Sequence, residues 1–148
     1  TKLGNYLRQN STNILYMDSF IIQPTEDSPS VNFDTTTNYF VISGTSRPEN
    51  SRTFYTPIIN WIASYEEILA ERKQQGNQTP LVFEYRFDYF NSSSAKFILD
   101  ILLILKRFSE NGYPLEVIWK CDARDEDMLD MGREFSDMAD LQFEYIQY

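Results

Sequence analysis

From residue 80 to residue 89 the chain alternates in hydrophobicity, with Leu81, Phe83, Tyr85 and Phe87 set against Val82, Glu84, Arg86 and Asp88. A period of two sends successive side chains to opposite faces, so this stretch predicts a strand with one buried face. Helical spacing precedes it. Ile58, Trp61, Ile62, Tyr65 and Leu69 recur every three or four positions, which predicts a helix over residues 54–75 with Pro57 near its first turn and Gly76 just past its end. Beyond the polar Asn91-Ser92-Ser93-Ser94 turn a second helix runs to about Glu110, where Asn111-Gly112 ends it.

Residues 19–23, 31–34 and 39–43 read as strands around a turn-rich stretch at 24–29, the third closed by Gly44, and give the sheet an antiparallel start. A strand at 115–120, a helix at 125–138 with acidic residues in its first turn and a strand at 142–147 complete the chain. Strand and helix alternate through this second half, which predicts right-handed crossovers and a largely parallel half-sheet. Residues 1–18 are polar with scattered Leu3, Tyr6, Leu7, Ile14 and Leu15. They are expected to form a short helix or an ordered arm ahead of a single domain over residues 19–148.

The helix after Ser92 departs from an ordinary amphipathic pattern. Ala95, Phe97, Ile98, Leu99, Ile101, Leu102, Leu103, Ile104, Leu105 and Phe108 cover most of its circumference, leaving Lys96, Asp100 and Arg107 as a narrow polar stripe. A helix lying on one face of a sheet needs far less apolar arc, so the excess is covered either by the residue 1–18 arm or by a docking partner beside the serines.

Composition narrows the chemistry. With 148 residues, 42% of them hydrophobic, one ordinary core suffices. A net charge of −9 from 22 acidic and 13 basic residues opposes binding to nucleic-acid phosphates or anionic lipid. Histidine is absent, which removes Ser-His and Cys-His nucleophile pairs and the usual zinc ligands. Cys121 has no partner for a disulfide, no run is long and apolar enough to span a membrane, and the first twenty residues hold no signal-like apolar stretch. A cytoplasmic protein without cofactor or metal is the expectation.

At the serine turn two explanations stand side by side. Asn91 or Ser92 is a good helix N-cap, with Ser93 and Ser94 as small first-turn residues. A helix N-terminus also tolerates a phosphate, because its free N–H groups and the positive end of the macrodipole favour negative charge. Arg47-Pro48-Glu49-Asn50 is either a turn leading into a helix or a contact loop. The cluster Asp122, Arg124, Asp125, Glu126 and Asp127 is either a solvated helix start or a kinase or metal contact.

The segment Tyr89-Phe90-Asn91-Ser92-Ser93-Ser94-Ala95-Lys96, preceded by an alternating strand, resembles the phosphorylated turn of the SiaC family of bacterial regulatory phosphoproteins. Ser46-Arg47-Pro48-Glu49-Asn50-Ser51 is similar to that family's Pro-Glu-Asn motif ahead of a helix bearing a Trp, here Trp61. The strand at 115–120 leading into Asp122, Arg124, Asp125 and Glu126 is a third match. The resemblance spans about residues 33–148. It implies an α/β, STAS-like fold: a mixed sheet of five or six strands with helices packed mainly on one face.

It also implies a switch rather than a catalyst. Ser92, where the family more often carries Thr, takes the place of the phospho-acceptor in a turn made by Asn91, Ser93, Ser94 and Lys96. Family members are phosphorylated by a cognate serine/threonine kinase and dephosphorylated by a PP2C-like phosphatase. Unphosphorylated, they bind an effector, in several cases a GGDEF-type diguanylate cyclase. Arg47, Pro48, Glu49, Asn50, Phe97, Asp100 and Ile104 are the expected partner-binding residues. A more distant likeness is to STAS-type anti-anti-sigma factors, from which Asn91 and Ser94 depart where those proteins carry Asp and Gly. The rival of another class is a carboxylate-based, metal-dependent enzyme built on Glu49, Glu84, Asp88 and Asp122.

Overall fold

Right-handed crossovers decide the layering. The computed structural model describes residues 6–148. In it β5 (Tyr39–Ser46), β6 (Leu81–Phe90), β7 (Leu115–Cys121) and β8 (Phe143–Gln147) run parallel and adjacent in chain order. They are joined by α1 (Ser51–Gln74), α2 (Ser92–Glu110) and α3 (Glu126–Ala139). Each step moves one strand across the sheet in the same direction with the same hand, so all three helices fall on one face. β3 (Phe20–Ile22) and β4 (Ser30–Asp34) extend the sheet antiparallel beyond β5, giving six strands in the order β3-β4-β5-β6-β7-β8.

The core lies between the sheet and its helices. Phe33, Phe40, Phe83, Tyr85 and Trp119 from the strands meet Tyr55, Trp61, Tyr65, Ile98, Ile101 and Leu105 from the helices, all buried. Trp61 stacks on Tyr65, while Phe40 meets Tyr65 edge-on at 4.9 Å, arrangements that add to plain area burial.

The wide apolar arc of α2 is accounted for by its neighbours. α2 packs against both α1 and α3 as well as the sheet, which buries Phe97, Ile98, Ile101, Leu102, Leu105 and Phe108 and half-buries Ala95, Leu99 and Ile104, leaving Leu103 exposed. The described part of the arm does not cover it. Residues of β1 (Arg8–Gln9) and β2 (Leu15–Tyr16) form a small antiparallel hairpin set against α1, where the Leu15 N–H donates to Glu71 Oε1 at 3.3 Å. Among the described residues neither a helical arm nor a sandwich of α2 between arm and sheet is found; the expectation for Leu3 falls outside them.

Two boundaries shift by three residues from the sequence pattern, and one strand pair slips register. α1 begins at Ser51 instead of residue 54, because Asn50 caps it by accepting the Thr53 N–H at 3.0 Å. Pro57 therefore sits in the second turn, where its missing N–H leaves the Thr53 carbonyl free; both residues are exposed, so water can take that bond. β5 continues through Gly44 to Ser46. Gly44 adopts φ +105, open to glycine without strain, and there the β5–β6 register slips: Gly44 pairs with Phe87, but Thr45 pairs with Tyr89, passing over Asp88. This bulge reverses the alternation. Tyr89, which a continued period of two would place inside, is exposed, and Phe90 turns inward onto Phe87, Trp119 and Phe135.

Candidate functional site

The parallel topology sets the N-termini of all three helices at the same edge of the sheet, beyond the C-terminal ends of β5, β6 and β7, the edge at which open α/β sheets usually carry their sites. Asn91 caps α2: its Oδ1 accepts the Ser94 N–H at 2.9 Å and the Ser93 hydroxyl at 3.1 Å. The Asn91 N–H donates to the Ser46 carbonyl at 3.0 Å, tying the turn to the end of β5. Asn50 and Asn91 thus start α1 and α2 in the same way.

The three serines of the turn occupy different environments. Ser94 is fully buried; its hydroxyl donates to the Ser46 carbonyl at 3.1 Å and accepts from Ser46 Oγ at 2.9 Å. Ser46 Oγ also lies 2.6 Å from the Tyr55 hydroxyl. Since each hydroxyl carries one proton, the direction is fixed: Tyr55 donates to Ser46, Ser46 to Ser94, and Ser94 to the Ser46 carbonyl. Burial pushes the Tyr55 phenol up to about 12, although its bond with Ser46 opposes the rise. Ser93 is exposed but engaged, its hydroxyl spent on Asn91 and 2.8 Å from Ser51 Oγ, which must then be the donor. Ser92 is exposed, and among the described residues its hydroxyl makes no hydrogen bond.

The other expected contact residues lie at varied distances from this turn. Arg47 folds back onto Asp27, its Nε 2.8 Å from Asp27 Oδ1, with Pro48 half-buried and Glu49 exposed in the same loop. The Ser51–Ser93 bond joins that loop to the serine turn. Lys96, one turn beyond Ser92, pairs with Asp100 at 3.0 Å. Phe97 does not project to solvent: it is buried and stacked on Tyr55 with ring centroids 5.6 Å apart. Ile104 is half-buried, about 18 Å along the helix from Ser92 at 1.5 Å per residue.

Between the starts of α2 and α3 a groove of about 550 Å³ is lined by Tyr89, Phe90, Ser92, Ala95, Met128 and Met131 together with Asp88, Asp125 and Asp127. Asp125 is the N-cap of α3 through the Met128 N–H at 3.0 Å, so its first role is structural. The Arg124 guanidinium and backbone N–H bond Asp122 and hold its carboxyl down at about 2. The four carboxylates of the enzyme alternative do not form a common centre. Glu84 is buried on the helix-free face of the sheet, accepting from the Tyr39 hydroxyl at 2.6 Å with Arg86 nearby, and among the described residues no group of three or more Asp, Glu or Cys is placed to hold a metal ion. No described helix is long and apolar enough to cross a membrane.

Ser46, Ser51 and Tyr55 carry much of the geometry and were missed by sequence reasoning. The one signal for the first two is their position flanking Arg47-Pro48-Glu49-Asn50; Tyr55 carried none.

Comparison with known proteins agrees with this architecture. Apo-SiaC from Pseudomonas aeruginosa superposes with a TM-score of 0.73 at 30% identity, covering 89% of this chain and all of that one. A chain from the crystal structure of the diguanylate cyclase SiaD in complex with its activator SiaC, from the same organism, gives a TM-score of 0.71 at 30% identity, covering 86% and 97% respectively. An uncharacterized protein of Pseudomonas aeruginosa (strain UCBPP-PA14) is 30% identical over 127 residues, 86% of this chain and 94% of its own length. The six-stranded mixed sheet with helices on one face is the STAS-like arrangement that these structures share. The family model for the SiaC family regulatory phosphoproteins matches residues 22–148, and the chain belongs to that family.

Proposed function

We propose that this protein is a phosphorylation-controlled regulator whose unmodified form docks onto an effector through the Ser92 turn and the adjoining Arg47–Asn50 loop, and whose Ser92-phosphorylated form does not. The effector class is a diguanylate cyclase, as for the SiaC that activates SiaD in Pseudomonas aeruginosa. The observation that carries the choice of residue is the hydroxyl inventory: Ser93 and Ser94 are committed to hydrogen bonds, and Ser92 is exposed and, among the described residues, uncommitted. A cognate kinase supplies the phosphoryl group. Ser92 Oγ attacks the γ-phosphorus of bound ATP, the β–γ bridging P–O bond breaks, ADP leaves, and the hydroxyl proton passes to a base of the kinase. A PP2C-like phosphatase restores the serine by hydrolysis to free phosphate. The protein itself supplies a surface and no catalytic group, and it acts in the cytoplasm.

The switch follows from desolvation. Phosphate adds about −1.5 to −2 charges, tolerated where the first backbone N–H groups of α2 face outward. A partner that buries Ser92 must strip water from that anion. A loss of about 3 kcal/mol weakens a complex roughly a hundredfold. Binding of the diguanylate cyclase should survive Ser92→Ala and fall about a hundredfold on stoichiometric phosphorylation of Ser92, with Ser92→Asp in between; equal binding by phosphorylated and unmodified protein would refute the switch.

A further inference from the structure

Ser92, Lys96 and Asp100 stand at i, i+4 and i+8 on α2 and so fall in one stripe along the helix. Lys96 occupies the middle. In the unmodified protein its Nζ lies 3.0 Å from Asp100 Oδ2, one turn toward the C-terminus, and 4.7 Å from the centroid of the Phe97 ring. Among the described residues it is the cation paired with Asp100. Arg52, from the first turn of α1, lies over the same ring at 5.8 Å.

We infer that Lys96 receives the phosphate of phosphorylated Ser92 and that, in doing so, it releases Asp100, so that modification at one residue is passed along the helix by exchange of a cation between two anions. The inference rests on Ser92 being the modified residue and deepens that proposal by naming what the phosphate does to the surface around it. Three features make the exchange run forward. Lys96 is exposed and long enough to reach one turn in either direction. The phosphate carries close to twice the charge of the Asp100 carboxylate. The existing pair has the cation on the N-terminal side of the anion, the weaker order for an i,i+4 pair, whereas a phosphate at Ser92 places the anion N-terminal to Lys96, the stronger order.

The exchange extends the change over about 12 Å of helix surface, eight residues at 1.5 Å each. At one end a dianion gains a partner. At the other, Asp100 loses the cation that neutralises it, and the Phe97 ring loses its nearer cation. A partner laid along this stripe therefore meets an altered charge pattern at both ends and not only at the serine.

The test uses the full chain with phosphoserine incorporated at position 92 during synthesis, so that no kinase is needed. The second ionisation of the phosphate is followed by ³¹P NMR in the otherwise unaltered protein, in Lys96→Met and in Asp100→Asn. Removing Lys96 should raise that pKa by about half a unit, and removing the competing carboxylate should lower it by a similar amount. The Asp100 side-chain ¹³C resonance should move on phosphorylation when Lys96 is present and stay put when it is not. An unchanged phosphate titration in Lys96→Met overturns the contact, and an unchanged titration in Asp100→Asn overturns the competition. Absence of phosphate on Ser92 in protein from its native cells would refute the functional proposal, while the titration would still decide the exchange.

Discussion

The hydroxyl chain beneath the serine turn can be tested by a double-mutant cycle at Ser46 and Tyr55. Both side chains are fully buried, and the Tyr55 hydroxyl has Ser46 Oγ, 2.6 Å away, as its acceptor. Ser46→Ala takes away the close acceptor of that buried phenol and leaves only the neighbouring Ser94 hydroxyl to turn to, which costs about 1–3 kcal/mol. For a chain of this length each 1 kcal/mol corresponds to roughly 3 °C in Tm, so a fall of about 3–9 °C is expected. Tyr55→Phe removes the donor together with its need. Ser46 still donates to Ser94 at 2.9 Å, so this change costs only about 1 kcal/mol. In the double variant there is no phenol deprived of its close acceptor, and its loss should fall short of the sum of the single losses by about 1–2 kcal/mol. Urea unfolding followed by the fluorescence of Trp61 and Trp119, both buried, measures all four proteins. Additivity within about 0.5 kcal/mol, the behaviour of independent sites, would refute the chain as a coupled unit.

Gly132→Ala tests the packing of α3: a Cβ there would lie 2.5 Å from the ring of buried Trp119, whose indole N–H donates to the Met128 carbonyl at 3.0 Å. Overpacking should outweigh the gain of about 1 kcal/mol in helix propensity and lower stability by about 1–2 kcal/mol; a raised urea midpoint would contradict the contact. At alkaline pH, Tyr39, Tyr55 and Tyr65 are each pushed from 10.0 up to about 12, chiefly by burial. The folded state holds these protons more tightly, so their contribution is full below pH 10 and drains away as pH rises toward 12 while only the unfolded chain ionises. Tyrosinate absorbance for these residues should therefore appear together with loss of circular dichroism; their ionisation near pH 10 with the fold intact would disprove the assignment.

Local pattern exposed most of the elements, because period-two strands and heptad-like spacing on α1 and α2 are written in residues a few positions apart. The stripe from Ile58 to Leu69 and the alternation from Leu81 to Phe87 were legible for that reason. What escaped is one local boundary and several features that depend on partners distant in sequence. The start of α1 rests on a cap supplied by Asn50, and Pro57 misdirects the eye toward a later first turn. The broad apolar surface of α2 reads as a search for an outside cover, when its neighbours α1 and α3 supply much of it. Phe97, expected among the partner-binding residues, is taken by Tyr55 on another helix. At the site, the Asn91 cap and the serine row were visible in the sequence. Which serine has a free hydroxyl was not, since Ser93 and Ser94 are claimed by Ser51 and Ser46, more than forty positions away.

The bulge at Asp88 has a consequence for how this chain tolerates change in length. One surplus residue on β6, beside Gly44 of β5, sets the rotational phase with which the backbone enters α2. Each residue of an α-helix turns the chain by about 100°. Deleting Asp88 would remove the surplus and leave Tyr89 outside and Phe90 inside, still opposite Thr45 and Ser46, whereas a residue inserted between Phe90 and Asn91 would swing the serine row by roughly that angle, away from Ser46 and Ser51. Substitutions in this stretch change a side chain, whereas an insertion after Phe90 changes which serine the solvent sees. The step from Phe90 to Ser92 therefore works as a spacer of fixed count, while Asp88 is a residue whose loss the strand pairing can absorb.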